Sequence, residues 1–496
     1  MDGSPVRPVG HLEKFLIHQH LVRFYNNVQV TAVYTVPNTE FKFNNDDIQW
    51  LVYKAIGKTL NRHPILGVAV RNEDSPQPEW IRLERVDLRE IVRFIETEPN
   101  MTNLDAWIQD EHQNSFHKPQ ELPLWRCTVV VPPQAPETVD AVVFALSFSF
   151  HHAVGDGLSG AAFQKTFRQS LNEIISSVET IRSDFDLTGK EVLEVPKLAL
   201  VPYLEESMAL PLTPLFMLGK VFKTYLFSPV DTQEWSGPSI RDIRPPISHL
   251  RSFHLPQEVV RNLRSGCRRH QTTITALITV IVARALALLH PTHSRFVGAV
   301  PFSLRKFSKH SPDDMGCYTA IAEPYFSSER SPPWGYISCR SNGRPNSSKG
   351  LSKDDSLWRA AQSCKDVIRT RSESTSNLSV GLTKFVGDYR QHFLNMIGEK
   401  RRHAFTVTNI GVIDGGISLP VALQGDEKAV CDRLLFSVGA STNGSPYSVS
   451  VASATNGYMS VTLNWEKETV EESDANSLLE SLDSELNRLA QLELEV

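Results

Sequence analysis

The stretch that most constrains the fold is residues 142–160, VVFALSFSFHHAVGDGLSG. Apolar side chains alternate through its first part, with Phe144, Leu146, Phe148 and Phe150 on one face, which predicts a strand buried on at least one side. Two histidines end the strand, a glycine-flanked turn follows, and apolar residues at helical spacing then predict a helix. This strand, turn and helix place the stretch in a mixed α/β fold.

The polar residues of the turn are candidates for chemistry. His152 lies at the strand end with Asp156 four residues on and nothing bulky between them, so it is a candidate general base, and a buried structural histidine is the alternative. His151 should point to the opposite face and have a structural role. Asp156 is expected to hold the turn, and because a buried carboxylate needs a cation, an arginine from the other half of the chain could pair with it.

Length and charge limit the class of protein. A chain of 496 residues is too long for one ordinary core and indicates two large domains. We expect an N-terminal half over residues 1–178, a crossover over 179–246 and a C-terminal half over 247–496. The 51 basic and 56 acidic residues give a net charge of −5, which gives no reason to expect a nucleic-acid partner.

Cysteine usage and hydropathy suggest the compartment. Six cysteines lie far apart without a Cys-x-x-Cys pair, and the start of the chain has no signal-peptide pattern, so we expect free thiols and a cytoplasmic location. We also expect a monomer. Residues 273–289 are apolar but too short to span a membrane, and predict a buried helix. The pattern of residues 209–227 favours a linker helix packed on the body over a helix on a membrane surface, because Pro211 and Pro214 interrupt the apolar segment. Association with a lipid surface stays open.

Two further segments carry definite predictions. Residues 327–353 are rich in Ser, Pro, Gly and Asn, which indicates an exposed loop. Helical spacing predicts one helix over residues 379–397. The remaining C-terminal part predicts strands and a last amphipathic helix over residues 472–492.

Other motifs are weaker. His310 and Asp314 repeat the His-x-x-x-Asp spacing, but no strand precedes them, Pro312 lies between them, and a catalytic role is not expected. The histidine pairs at residues 18–20 and 290–293 lack a cysteine or carboxylate ligand set, so no metal site is expected. The phosphate-binding string GxxxxGK[ST] and the GxSxG nucleophile elbow are absent from the sequence.

Residues 151–157, HHAVGDG, resemble the HHxxxDG signature of the coenzyme-A-dependent acyltransferase superfamily, which includes chloramphenicol acetyltransferase, BAHD acyltransferases and condensation domains. Within that superfamily the chain is similar to the fungal alcohol O-acetyltransferases. The similar blocks are residues 7–14, 24–28, 32–34, 272–277, 300–305 and 406–411. Ser303 and Thr408 depart from the asparagine and serine that are usual in two of these blocks, and no DFGWG block is present.

The resemblance implies a fold and a reaction. The fold is α/β, with two chloramphenicol-acetyltransferase-like domains, each a mixed sheet with flanking helices, and a channel at their interface. The reaction is transfer of an acetyl or other short acyl group from coenzyme A to a small-molecule alcohol, in secondary metabolism. Acetyl-CoA or another acyl-CoA is a co-substrate, and no bound cofactor is implied.

The resemblance also suggests roles for single residues. His152 takes the proton of the acceptor hydroxyl as its oxygen attacks the thioester. Asp156 orients the turn through Arg305, and Gly157 keeps the turn small enough for the pantetheine arm to pass. Thr408 or Asn409 is the candidate donor to the oxyanion.

Two alternatives stay open at this point. The first is a condensation-type or polyketide-associated acyltransferase that uses a carrier-bound donor, supplied in trans by a carrier protein, or an amine acceptor. The second is a non-catalytic binding protein with the same fold.

Overall fold

The computed structural model describes residues 5–37, 45–133, 141–181, 191–225, 231–328, 336–341, 344–345, 352–416 and 429–494. Within these residues the strands form two large and two small sheets, with helices on their faces. The α-helices are His11–Leu21, Asn45–Arg62, Leu88–Ile91, Met101–Gln113, Gly157–Ile181, Leu204–Ser207, Pro214–Tyr225, Gln257–Arg269, Ile274–Leu289, Lys353–Ser372, Tyr389–Leu394 and Glu472–Leu492. Short 3₁₀-helices cover Pro64–Gly67, Arg305–Phe307 and Ser379–Phe385.

The first large sheet has five strands in the described residues. Their spatial order is Val430–Val438, Val28–Pro37, Ala141–Phe150, Trp125–Val131 and Val92–Glu96. The edge strand Val430–Val438 comes from the C-terminal part of the chain and pairs antiparallel with Val28–Pro37. The C-terminal part therefore completes a sheet built otherwise from the first 150 residues, and the boundaries at residues 178 and 246 stay predictions.

The central strand is buried, as its alternation predicts. Phe144, Leu146, Phe148 and Phe150 are all at most 1% exposed, and Phe148 stacks on Phe163 of helix Gly157–Ile181 with ring centroids 3.8 Å apart. Burying each such side chain contributes about 1.5–3 kcal/mol. The strand and the helix are thus packed on each other, and the turn between them is held at both ends.

The second large sheet contains the strands of the C-terminal part. Their order is Ser248–Leu255, Met459–Glu466, Tyr447–Ala454, Phe405–Ile413, Arg295–Ser303, Tyr325–Ser328, Ile337–Ser341 and Arg344–Pro345, with Glu234–Trp235 and Thr319–Ala322 also paired to Arg295–Ser303. The small sheets are Pro5–Pro8, Glu79–Arg82 and Val68–Arg71, and Arg85–Asp87 with Val192–Glu194.

The two faces of the second sheet have different neighbours. One face packs on helices Ile274–Leu289 and Glu472–Leu492 in a common apolar core, and the first of these is the buried helix that the sequence predicts. On the other face, the Thr462 hydroxyl donates a hydrogen bond to the Phe436 carbonyl at 2.6 Å. Phe436 belongs to the strand that completes the first sheet, so this strand bridges the two sheets.

Two predictions of secondary structure are wrong. Residues 379–397 are not one helix, because Asp388 starts a new helix by accepting a hydrogen bond from the Gln391 backbone N–H at 2.9 Å. Residues 327–353 are not entirely an exposed loop, since Ile337–Ser341 pairs with Tyr325–Ser328 and Cys339 is fully buried. The remainder of that predicted loop lies largely outside the described residues.

The crossover contains an exposed helix. Pro214 is the first residue of helix Pro214–Tyr225, and Leu215 and Leu218 are 80% and 62% exposed. At these positions the helix is not packed on the body, contrary to the favoured prediction. In the described residues no single helix is long and apolar enough to cross a membrane.

Candidate active site

The HHxxxDG turn is closed by its own backbone and by a helix cap. The Val154 N–H donates to the His151 carbonyl at 2.9 Å. Asp156 precedes the first residue of helix Gly157–Ile181, and its Oδ1 accepts a hydrogen bond from the Ser159 N–H at 3.1 Å. The first N–H groups of a helix lack partners within the helix, so this carboxylate stabilises the helix start.

His152 has one ring nitrogen engaged. Its Nδ1 lies 3.0 Å from the Gly155 carbonyl oxygen, which can only accept a hydrogen bond, so we assign the proton to Nδ1. Burial lowers the pKa of His152 and outweighs the opposing effects of Asp156 and the Gly155 carbonyl. The imidazole is therefore neutral at pH 7, with the lone pair on Nε2.

His151 is part of the scaffold beneath the turn. It is 3% exposed, and its Nδ1 accepts a hydrogen bond from the Ala153 N–H at 3.0 Å. Its ring packs on His20 and Phe116, with centroid separations of 4.6 and 6.0 Å. Burial, together with the neighbouring histidines, holds the pKa of His151 well below its usual value.

Asp156 forms an ion pair with Arg305. Arg305 follows strand Arg295–Ser303 of the second sheet, and its Nη1 donates to Asp156 Oδ2 at 2.6 Å. The two side chains are only 9% and 6% exposed. Burial by itself raises the pKa of Asp156, but the Arg305 charge and the hydrogen bonds outweigh it and hold the pKa below its usual value. A buried charge pair thus joins the turn to the second sheet.

The same network includes residues that sequence reasoning missed. Arg305 donates to the Ser159 hydroxyl and to the Gly316 carbonyl, both at 3.0 Å. The Tyr318 N–H donates to Asp156 Oδ2 at 3.1 Å. Ser159 could have been found, because it lies three residues after a helix-capping aspartate. Gly316 and Tyr318 have no local signal, since only the tertiary fold brings their loop here.

Gly157 lies where two strands approach the helix closely. A Cβ atom at this position would lie 2.5 Å from Ile410 Cγ2 and 2.8 Å from Phe436 Cζ. Such distances are well inside van der Waals contact, so a larger residue here would have to displace the Ile410 or Phe436 side chain. Its predicted role toward the pantetheine arm stays a prediction.

The two oxyanion candidates face opposite sides of strand Phe405–Ile413. The Asn409 side-chain amide donates to the Thr275 hydroxyl at 3.0 Å and accepts from the Gly411 N–H at 2.8 Å. Thr408 is on the other face, the face of Ile410 that meets Gly157. Among the described residues the Thr408 hydroxyl has no hydrogen-bond partner.

The second His-x-x-x-Asp copy is not arranged like the first. His310 Nε2 lies 3.2 Å from the Ser207 hydroxyl. Asp314 Oδ2 accepts a hydrogen bond from the Ser311 N–H at 3.0 Å. The two side chains thus have separate partners, since His310 contacts a serine of helix Leu204–Ser207 and Asp314 contacts a serine of its own loop.

The structure also bears on metal binding and on the cysteine thiols. In the described part of the chain, no group of three or more His, Cys, Asp or Glu side chains could hold a metal ion. All six cysteines lie in that part, and each is a free, buried thiol, as predicted.

The N-terminal block that carries the resemblance has a structural role. Glu13 is 4% exposed and accepts hydrogen bonds from the Arg7 guanidinium at 2.6 and 2.8 Å, the Gly10 N–H at 2.9 Å and the Trp80 indole at 3.1 Å. A buried carboxylate with four donors is fully satisfied. These residues fix helix His11–Leu21 to the small sheet.

Comparison with known proteins extends over most of the chain. The alcohol acetyltransferase family model matches residues 109–320, which include the HHxxxDG turn and Arg305. A probable alcohol acetyltransferase of Aspergillus fumigatus is 26% identical over 482 residues, covering 93% of this chain and 95% of the relative. Another, of Fusarium pseudograminearum, is 22% identical and covers 94% and 91%. The chain is an alcohol acetyltransferase-like O-acyltransferase.

Solved structures agree with the expected fold. The trichothecene 15-O-acetyltransferase TRI3 of Fusarium sporotrichioides matches with a TM-score of 0.69 at 14% identity, over 98% of this chain and 95% of that one. The first condensation domain of the CDA synthetase matches with a TM-score of 0.59 at 12% identity, over 99% and 97%. The predicted two-domain, chloramphenicol-acetyltransferase-like α/β fold of this acyltransferase is confirmed.

Proposed function

We propose that this acyltransferase moves an acetyl or other short acyl group from free coenzyme A to the hydroxyl of a small-molecule alcohol, with His152 as the general base. Nε2 takes the hydroxyl proton as the oxygen attacks the thioester carbonyl. The tetrahedral intermediate then collapses, the C–S bond breaks, and the leaving sulfur receives the proton from Nε2. The observation that carries this assignment is the Nδ1 contact to Gly155, because it leaves Nε2 as the basic atom.

Thr408 is the better candidate for the oxyanion donor. The Asn409 amide is engaged with Thr275 and Gly411 on the far side of the strand. Thr408 lies on the side of the HHxxxDG turn and its hydroxyl has no partner in the described residues. A single oxyanion donor contributes about 2.7–4 kcal/mol to transition-state stabilisation.

A pocket supports coenzyme A as the donor. It has a volume of about 300 Å³ and lies between helix Gln257–Arg269 and the ends of strands in the second sheet, with Asn409, Gly411 and Arg264 in its lining. Asn409 and Gly411 flank Ile410, which meets Gly157 of the turn. The pocket and the turn thus lie at opposite faces of strand Phe405–Ile413, the one lined by Asn409 and the other in contact with Ile410.

Arg264 lines this pocket and belongs to a row of three arginines. Arg261, Arg264 and Arg268 lie on one helix face and line an adjoining pocket of about 150 Å³. Within the described chain none of them has an acidic partner, whereas the neighbouring Arg269 pairs with Glu493 at 2.5 Å. Unpaired guanidinium groups attract phosphates. Coenzyme A has three phosphate groups and a carrier-bound pantetheine has one, so this arginine row supports a free coenzyme A donor.

The setting of the reaction is also part of the proposal. The structural neighbour TRI3 is a trichothecene acetyltransferase, and this supports an acceptor from fungal secondary metabolism.

The first experiment measures thiol release from acetyl-CoA with a panel of alcohols and amines, for the wild type and for His152→Ala matched in folding by circular dichroism. We expect turnover with an alcohol that is lost in the variant. Turnover that survives His152→Ala would refute His152 as the base. Absence of thiol release with every acceptor would favour a carrier-bound donor or a binding function.

The second experiment tests the donor. Acetyl-CoA is compared with acetyl-dephospho-CoA and acetyl-pantetheine in the wild type, Arg264→Ala and the control Arg390→Ala, an exposed arginine on another helix. We expect KM to rise as phosphates are removed and to rise in Arg264→Ala but not in Arg390→Ala. Equal KM values for the three donors would contradict the phosphate contact.

A further inference from the structure

A thiol lies against the imidazole of His152. Cys317 Sγ is 3.9 Å from His152 Nδ1, and Cys317 is 4% exposed. Cys317 belongs to the loop of residues 315–318. This loop comes after strand Arg295–Ser303 of the second large sheet. The base and the thiol thus come from parts of the chain that meet only at the interface between the sheets.

This loop is fixed to the HHxxxDG turn on both sides of the cysteine. On one side, the Ser159 hydroxyl donates to the Gly316 carbonyl at 2.9 Å and the Gly316 N–H lies 3.1 Å from the same hydroxyl oxygen. On the other side, the Tyr318 N–H donates to Asp156. Arg305 also donates to the Gly316 carbonyl. The Asp156 and Arg305 pair therefore determines where Cys317 lies.

We propose that Cys317 is a positioning residue, whose thiol packs on the Nδ1 edge of His152 and, with the Gly155 carbonyl, holds the ring so that Nε2 faces the acceptor. This inference rests on His152 being the base of the proposed reaction. Tyr25 also lies beside the imidazole, with ring centroids 5.9 Å apart and the rings tilted by 45°. The ring is thus enclosed by a carbonyl, a thiol and a phenol.

A thiol at this edge has an electrostatic consequence. Many catalytic histidines have a carboxylate at Nδ1, which stabilises the imidazolium. Here burial raises the pKa of the Cys317 thiol well above its usual value, so the group beside Nδ1 is uncharged. The other ionisable groups around the ring are His151, Tyr25 and Asp156, and the Asp156 charge is paired with Arg305. His152 is therefore held neutral.

The test uses Cys317→Ala, Cys317→Ser and Cys317→Asp, with Cys431→Ala, a buried cysteine of strand Val430–Val438, as the control for loss of a buried thiol. In Cys317→Ala we expect kcat to fall roughly tenfold to a hundredfold, because misplacing a catalytic group has effects of this size, with KM for acetyl-CoA unchanged. Cys317→Ser should recover part of this loss, since the hydroxyl nearly keeps the shape.

The pH profile separates positioning from stability. In Cys317→Ala the acid limb of kcat/KM should move to higher pH, because water replaces the thiol. In Cys317→Asp it should move further, by about one unit or more, since a carboxylate within about 4–6 Å favours the imidazolium. Cys431→Ala should leave the acid limb unchanged.

The outcomes distinguish this inference from the proposed function. An inactive His152→Ala together with wild-type kcat and an unmoved acid limb in Cys317→Ala would overturn the positioning role alone. If Cys317→Asp does not fold, the alanine and serine variants still decide the question. Activity in His152→Ala would refute the proposed function itself.

Discussion

Replacement of Asp156 by asparagine is the most direct test of how the turn is held. The Asp156→Asn substitution would keep the shape of the side chain but would leave the Arg305 guanidinium buried without a counter-charge. In the wild type, Asp156 Oδ2 accepts from Arg305 at 2.6 Å and from the Tyr318 N–H at 3.1 Å. Breaking a buried ion pair by removing one partner costs about 3–5 kcal/mol. We expect Asp156→Asn to lower the free energy of unfolding by this amount and to lower kcat as well.

The measurement is urea unfolding followed by circular dichroism, with thiol release measured on the folded fraction. The matched control is Asp313→Asn, which breaks the ion pair to Lys165, whose side chains are 44% and 34% exposed. An exposed pair contributes about 1 kcal/mol or less. The control should therefore stay close to the wild type in both stability and rate.

The stability that Asp156 contributes should depend on pH. The pKa of Asp156 is depressed in the folded protein. The stability that it contributes is therefore fully present above the unfolded pKa of about 3.9 and is lost as the pH falls through the lower folded pKa. The difference between the wild type and Asp156→Asn should be constant near neutral pH and shrink below about pH 4. A soluble, fully active Asp156→Asn of wild-type stability would refute the role given to this ion pair.

Three further predictions concern the turn and the N-terminal block. Gly157→Ala should destabilise the protein by about 1–3 kcal/mol in urea unfolding, since its Cβ would lie 2.5 Å from Ile410. Unchanged stability would show that the neighbouring side chains move aside without a measurable loss of free energy. Because burial lowers the pKa of His152, the acid limb of kcat/KM should lie below about pH 6.5, the unperturbed histidine pKa, and a limb above about pH 7 would contradict a neutral imidazole. Glu13→Gln should lower the melting temperature, because it leaves the Arg7 charge buried without its partner. KM for acetyl-CoA should stay the same. An unchanged melting temperature would show that the N-terminal block contributes little to the stability of the fold.

Much of the fold could be predicted from local patterns. The alternation of phenylalanines before His151 predicts the central buried strand, and the apolar run over residues 273–289 predicts a buried helix; both are confirmed. The helix predicted over residues 379–397 is wrong because an N-capping aspartate inside it starts a second helix. The strand Ile337–Ser341 was missed because a short strand in a polar segment is specified by its partner strand.

The chemical identity of the site follows from residues that are neighbours in the chain. His152 and Asp156 lie in one short turn, their spacing is local, and the capping of a helix by an aspartate at its start depends only on neighbouring residues. The resemblance in several blocks then implied the acyltransferase reaction and the pairing of Asp156 with Arg305.

The atoms that surround this chemistry depend on the packing of distant segments. Cys317 and Tyr318 reach the turn from a loop more than 150 residues away, and Thr408 and Asn409 are told apart only by the face of the strand on which each lies. Such contacts require the two sheets to pack together and a strand to be exchanged between them. No local pattern encodes that packing, because it is the sum of many apolar contacts between distant parts of the chain.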